Sequence, residues 1–122
     1  MNNYLPTDYQ AFIHTSRYAK YFDGKGREAW PETVDRYIEN VIGDKVDSDI
    51  KDEIMFAILN LEIMPSMRAM MTAGIALDRD NTAGYNCSYL PVDDPKSFDE
   101  AMFILLCGTG VGFSVERQFI SK

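Results

Sequence analysis

The sequence predicts an α/β fold, because two kinds of pattern follow one another along the chain. In the first half, apolar residues recur at the three- and four-residue spacing of helices, and helix-start signals precede them. In the second half, a strand pattern, an apolar helix, a glycine-rich loop and a second strand pattern occur in that order. This order predicts a βαβ unit with a right-handed parallel crossover.

Three helices are predicted before residue 64. Thr7 and Gln10 have the spacing of a capping box, in which the Thr7 hydroxyl accepts the Gln10 amide and the Gln10 side chain reaches back to the Thr7 amide. A second helix is expected to begin at Pro31 and to end at Gly43. A third should begin near residues 47–48 and continue to Met64-Pro65, whereas the glycine-containing segment 20–27 is predicted to be a loop.

The second half begins with a short Met-rich segment, residues 64–74, which is typical of adaptable core packing. A strand is predicted over residues 85–92, and a capping box at 97–100 should start an apolar helix over 101–106. Because this helix is apolar on all sides, we expect most of its surface to be covered. Another strand should begin at Phe113.

Composition limits the classes of function. The chain has 122 residues, 46% of them hydrophobic, which suits one domain or a piece of a larger one. Its net charge of -7 argues against a nucleic-acid-binding face, although a local pocket for a small anion stays open. No signal peptide or membrane-spanning run is present, so we expect a cytoplasmic protein. One histidine and two cysteines favour neither a metal site nor a disulfide framework.

The glycine-rich segment 107–112 allows two interpretations. A dinucleotide fingerprint would follow a strand and open a helix, whereas these glycines follow a helix and precede a strand. They can therefore form a helix cap and a tight turn. Three alternating glycines exceed what a cap needs, so a backbone surface that a ligand approaches closely is the second interpretation.

The two cysteines also allow alternatives. Cys87 lies on the first predicted strand and is either a small buried residue or a redox-active thiol. Cys107 ends the apolar helix, where packing is the simpler interpretation. His14 is expected to be structural or exposed.

Four strings together are more specific than any single motif: residues 64–68 (MPSMR), 79–81 (RDN), 83–89 (AGYNCSY) and 107–117 (CGTGVGFSVER). They resemble the N-terminal part of the adenosylcobalamin-dependent (class II) ribonucleotide reductases, in particular the ribonucleoside-triphosphate reductase branch. The likeness extends over the whole chain and is densest from residue 64 to residue 118.

The resemblance implies roles for particular residues. Cys87 matches the first of two cysteines that donate electrons to the substrate and become a disulfide, and Asn86 matches a polar residue that faces the substrate. The loop residues Gly108, Thr109 and Gly110 match the segment that substrate ribose or phosphates approach. Phosphate contacts are also implied for two residues of the Met-rich segment, Ser66 and Arg68. Cys107 matches a position that is not catalytic.

The resemblance further implies a mainly helical N-terminal region, residues 1–63, followed by residues 64–122 as the first βαβ unit of a ten-stranded α/β barrel. The implied cofactor is adenosylcobalamin, bound mainly by parts of the enzyme outside this sequence. The implied partners are a ribonucleotide, the remainder of the reductase and a thioredoxin-like reductant. The second redox cysteine, the thiyl cysteine and the catalytic carboxylate cannot be assigned here. The alternative is a noncatalytic nucleotide-binding or regulatory stub that associates with an intact reductase.

Overall fold

The computed structural model describes residues 4–121, and it divides into two compact units, one ending at Gly74 and the other beginning at Ile75. The Met-rich segment 64–74 packs in the first unit. The division into domains 1–63 and 64–122, which the resemblance implies, stays a prediction.

The first unit is mainly helical. Its elements are α1 (Asp8–Ile13), a π-helical turn (His14–Tyr18), the antiparallel strands β1 (Tyr21–Phe22) and β2 (Gly26–Arg27), α2 (Trp30–Tyr37), a second π-helical turn (Ile38–Ile42), α3 (Ser48–Leu59) and α4 (Met67–Thr72).

The Thr7–Gln10 capping box is confirmed, since the Gln10 amide donates to Thr7 Oγ1 and the Thr7 amide to Gln10 Oε1. The predicted stop at Gly43 is also confirmed, because this residue ends the second π-helical turn with a φ of 54°. The segment expected to be a loop contains the short β1–β2 hairpin instead.

The hydrophobic core of the first unit forms around one face of α2 and of the π-helical turn that continues it. Trp30, Val34 and Ile38 follow one another at intervals of four residues and pack against Ile58 of α3 and Met70 of α4. All five side chains are buried, so this cluster ties the three helices together. Met70 has the core role predicted for the Met-rich segment.

A buried polar network lies beside this core. Arg36 Nε donates to Glu28 Oε1 (2.7 Å) and Arg36 Nη2 donates to Glu28 Oε2 (2.8 Å), which makes the ion pair bidentate. Thr33 Oγ1 also donates to Glu28 Oε2, so His14 Nε2, 2.8 Å from the same hydroxyl oxygen, must be the nitrogen that carries a proton. Burial raises the pKa of Glu28, but the hydrogen bonds from Arg36, Lys20 and Thr33 outweigh that effect and hold the pKa below its usual range.

Helix α3 ends earlier than the sequence predicts. The prediction that Met64-Pro65 ends it is wrong, because Leu59 is its last residue and Asn60 its C-cap. The amide of Leu61 donates to Ile58 O and that of Glu62 donates to Ala57 O, which is the Schellman pattern. Leu61 has a φ of 61° in this turn, a conformation that usually requires glycine.

The second unit contains the predicted strand, helix and strand, but the second strand begins at Gly110 rather than at the predicted Phe113, so part of the expected glycine loop is strand. Its elements are α5 (Ile75–Arg79), a 3₁₀ turn (Asn81–Gly84), β3 (Cys87–Pro91), α6 (Lys96–Leu106), β4 (Gly110–Ser114) and α7 (Arg117–Ile120). Strands β3 and β4 pair in parallel, with Cys87 opposite Gly110 and Pro91 opposite Ser114. The parallel βαβ unit is therefore present, and the ten-stranded barrel stays a prediction.

Two expectations for α6 are wrong. The capping box at 97–100 does not form, because the helix already begins at Lys96, and Ser97 lies buried inside its first turn. Asp94, which lies just before the helix, instead accepts the amide of the first helical residue, Lys96, through its Oδ1. The apolar surface of α6 is also exposed rather than covered, with Leu106 80% and Phe98 60% exposed. No helix in the described part of the chain is long and apolar enough to cross a membrane.

Candidate substrate and redox site

Cys87 lies at the start of β3, directly opposite Gly110 at the start of β4. Because the two strands run in parallel, both residues lie at the same end of the sheet. The Cys87 side chain is an exposed free thiol, and Asn86 and Gly110 beside it are also exposed. The buried interpretation of Cys87 therefore does not hold, and the thiol is accessible to a reactant.

The segment 108–110, which leads into the first residue of β4, uses its backbone amides internally. Gly108 donates to Leu105 O, Thr109 to Ile104 O and Gly110 to Asn86 O. Gly108 has a φ of 90° and so supplies the left-handed turn after α6. These three amides hold the loop against α6 and β3, so a substrate reaching this loop would meet exposed backbone surface rather than three open donors.

Gly110 and Gly112 are not required by the packing of this unit. A Cβ at Gly110 would lie 3.4 Å from Asn86 O, and one at Gly112 would lie 3.7 Å from Ser88 O, both ordinary contact distances. The helix cap accounts for Gly108 alone. The bare backbone at Gly110 and Gly112 therefore favours the second interpretation, close approach by a group from outside the unit.

Thr109 anchors the loop through its side chain. It is 1% exposed, and its hydroxyl lies 2.6 Å from Thr82 O and 3.1 Å from Tyr85 O. A hydroxyl has one proton to donate, which these two carbonyl groups share. Thr109 thus fastens the segment before β3 to the segment before β4. A contact between Thr109 and a substrate stays a prediction, and the proton of its hydroxyl is already used within the protein.

Asp80 is a second anchor that the sequence interpretation missed. Its Oδ1 accepts the Thr82 amide (2.9 Å), and its Oδ2 lies 3.9 Å from Cys107 Sγ. Hydrogen bonds from Thr82 hold the pKa of Asp80 below its usual value, with a smaller contribution from Cys107. The Asp-Asn-Thr string is typical of such an Asx turn and could have identified it. Cys107 is half-buried and bonded here, as expected of a packing residue.

The predicted phosphate contacts lie in the first unit. Ser66 is the exposed residue before α4, and Arg68 is half-buried in its first turn. The other end of α4 is held by a cation, since Arg36 Nη1 donates to Met70 O (2.8 Å) and to Ala73 O (3.0 Å). The structure thus brings together Asn86, Cys87 and the loop residues in the second unit, and it leaves Ser66 and Arg68 in the first.

No cluster of three or more metal-binding side chains occurs among residues 4–121. Comparison of the chain with family models, with curated proteins and with solved structures found no match. The resemblance to class II reductases rests on the four strings given above.

Proposed function

We propose that this chain is the N-terminal portion of an adenosylcobalamin-dependent ribonucleoside-triphosphate reductase. In this proposal Cys87 is one of two thiols that reduce the ribonucleotide, and the segment 108–110 forms part of the substrate pocket. The observation that carries the proposal is the exposed Cys87 thiol lying opposite the bare backbone of Gly110. A thiol in this position can meet a ribose that rests on the glycine backbone.

The chemistry assigned to Cys87 is a two-electron reduction. Cys87 and a second cysteine outside this sequence lose their hydrogens and form a disulfide. The C2′–O bond of the ribose breaks, the oxygen leaves as water, and C2′ receives a hydrogen. A thioredoxin-type dithiol then reduces the disulfide by thiol–disulfide exchange. Adenosylcobalamin would supply the radical, and this chain contributes no residue that we assign to it.

The shape of the second unit supports a role inside a larger assembly. Within residues 75–121 its parallel sheet has two strands, and parallel sheets are typically covered on both faces. Tyr89 of β3 and Phe113 of β4 are 63% and 60% exposed, and the apolar surface of α6 is exposed as well. Further strands and helices of a reductase barrel would cover these surfaces. In such a setting the protein acts in the cytoplasm, in deoxyribonucleotide synthesis.

The test combines the chain with a downstream reductase chain that carries the missing cysteines and carboxylate, and measures ribonucleotide reduction with a dithiol reductant. Cys87→Ser should lower turnover to background, a loss of ~10³-fold or more, because the serine hydroxyl cannot form the disulfide. Cys107→Ser is the matched control. It should retain turnover because the thiol of Cys107 is directed to Asp80 within the fold and has no part in the proposed chemistry.

Equal turnover in the wild type and the Cys87→Ser variant would contradict the proposal. Association with an intact reductase that is insensitive to Cys87→Ser, with no turnover in any reconstitution, would instead identify the noncatalytic stub.

A further inference from the structure

The first unit contains a cavity of about 280 Å³ that the proposed function does not use. Its floor is formed by two buried rings, His14 and Trp30, which meet edge to face with their centroids 5.5 Å apart. Tyr9, which is 72% exposed, lies at its mouth, and Tyr18 also lines it. Aliphatic side chains, Ile13 and Leu61 among them, complete the wall.

Three polar atoms of this lining, on Trp30, His14 and Gln10, are hydrogen-bonded within the protein. Trp30 Nε1 donates to Leu59 O (3.1 Å), and His14 Nε2 bonds to the Thr33 hydroxyl. Gln10 Oε1 accepts from Thr7 in the capping box. The floor of the cavity therefore presents mainly ring faces, ring edges and hydrocarbon to an occupant.

The cavity lining that the structure describes carries no charged side chain at neutral pH. His14 is its one basic group, and burial, together with the charge of Arg36, lowers the pKa of His14 against the opposing effect of Glu28. The imidazole is therefore neutral. An ion entering this cavity would lose hydration without gaining an opposite charge, so the lining selects an uncharged occupant.

Leu61 is held in the cavity wall at a conformational cost. Among residues 4–121 it is the one non-glycine residue with a positive φ. Glycine would satisfy the Schellman turn with less strain, but it would remove a side chain that both packs on the core and lines the cavity.

We propose that this cavity is a binding site for a small, uncharged, planar aromatic molecule. An apolar cavity of about 150 Å³ lined by aliphatic and aromatic side chains is enough to bind benzene, so the cavity here, at about 280 Å³, has room for a single aromatic ring with small substituents. The four surrounding rings favour a planar aromatic over a saturated ring, since aromatic pairs gain from stacked and edge-to-face contacts. This site is independent of the redox chemistry proposed for Cys87.

The test uses the full chain and toluene as the probe. Trp30 is the chain's single tryptophan, so its fluorescence reports directly on the cavity floor. Toluene should change this fluorescence saturably and give intermolecular nuclear Overhauser effects to the Ile13 and Leu61 side chains. Benzoate, with a carboxylate on a similar ring, should bind at least about tenfold more weakly, and cyclohexane several-fold more weakly.

A matched pair of variants locates the site. Ile13→Phe places a ring in the cavity and should weaken toluene binding by about tenfold or more. Ile54→Phe, the same substitution at a core-packed position on α3 outside the cavity lining, should leave binding within about twofold. The Overhauser contacts in the wild type locate the probe even if Ile13→Phe fails to fold.

The absence of a saturable change would overturn the proposal, as would Overhauser contacts to residues outside the cavity. Equal binding of benzoate or of cyclohexane would overturn the ligand class.

Discussion

His14 lies in a buried position where its neutral form is favoured. Its Nε2–H donates to Thr33, and its ring meets Trp30 edge to face. Burial lowers its pKa, with Arg36 acting in the same direction and Glu28 opposing. The sequence indicated only that a lone histidine on a helix is structural or exposed, because its partners, Thr33 and Glu28, lie 19 and 14 positions further along the chain and are brought to it by folding.

The lowered pKa predicts a pH-dependent stability. The unfolded chain, in which the imidazole pKa is about 6.5, binds a proton more readily than the folded chain. The free energy of unfolding should therefore be highest above about pH 6.5 and fall as the pH drops from there to the folded pKa, by up to about 1.4 kcal/mol per pH unit. Urea unfolding monitored by Trp30 fluorescence measures this dependence.

The control is His14→Phe, which keeps a ring beside Trp30 and removes the titrating group. Because the chain has one histidine, this variant should lose most of the pH dependence between about pH 7 and pH 5. The same slope in both proteins would show that His14 is not its source. Losses below about pH 4.3 belong to carboxylates such as Glu28, whose folded pKa is also lowered.

At the scale of elements, the Glu28–Arg36 ion pair joins segments that the hydrophobic core alone does not fix. Glu28 follows β2 and accepts the Lys20 amide, whereas Arg36 lies on α2 and donates to Met70 O and Ala73 O at the end of α4. The pair thus holds the hairpin, α2 and α4 in one arrangement. Both partners are mostly removed from water, since the Glu28 side chain is 3% exposed and the Arg36 side chain 11%.

Removing the charge of Glu28 should therefore destabilise the first unit strongly. Glu28→Gln leaves the Arg36 guanidinium buried without a carboxylate, and the expected loss in the free energy of unfolding is about 3–5 kcal/mol. Glu39→Gln is the matched control, since it breaks an ion pair with Lys51 in which the carboxylate is 59% exposed, and it should cost much less than Glu28→Gln. Urea unfolding of both variants measures the difference, and losses of equal size would contradict the role of the buried pair.

The elements also show where sequence patterns succeed and fail. The Thr7 capping box and the Gly43 stop depend on neighbours within a few residues, and both were predictable. The end of α3 was missed because Leu61 adopts a turn conformation that local propensity assigns to glycine, and its contacts with the core offset that preference. The start of α6 was missed because Asp94, rather than Ser97, accepts an amide in the first turn, that of Lys96.

At the scale of the whole molecule, buried hydrophobic residues are distributed unequally. The core cluster of Trp30, Val34, Ile38, Ile58 and Met70 lies entirely in the first unit. The second unit buries Leu90 and Val92 but exposes much of the apolar surface of α6. The sequence could predict its strand, helix and strand from local patterns. It could not predict this exposure, because the covering of a helix depends on which other elements are present to pack against it.

This distribution predicts that the first unit folds by itself. A fragment of residues 1–74 retains every residue of the core cluster and the whole Glu28–Arg36 network, so it should unfold cooperatively. Its free energy of unfolding in water, extrapolated from urea unfolding followed by Trp30 fluorescence, should agree with that of the full chain within the extrapolation's uncertainty of about 10–15%. A fragment of residues 1–63 is the informative comparison, because it lacks Met70 and the carbonyl groups of α4 that Arg36 binds. That shorter fragment should be less stable by about 2–5 kcal/mol, the cost of removing a large buried side chain. Equal free energies of unfolding for the two fragments would show that the Met-rich segment does not belong to the first folding unit.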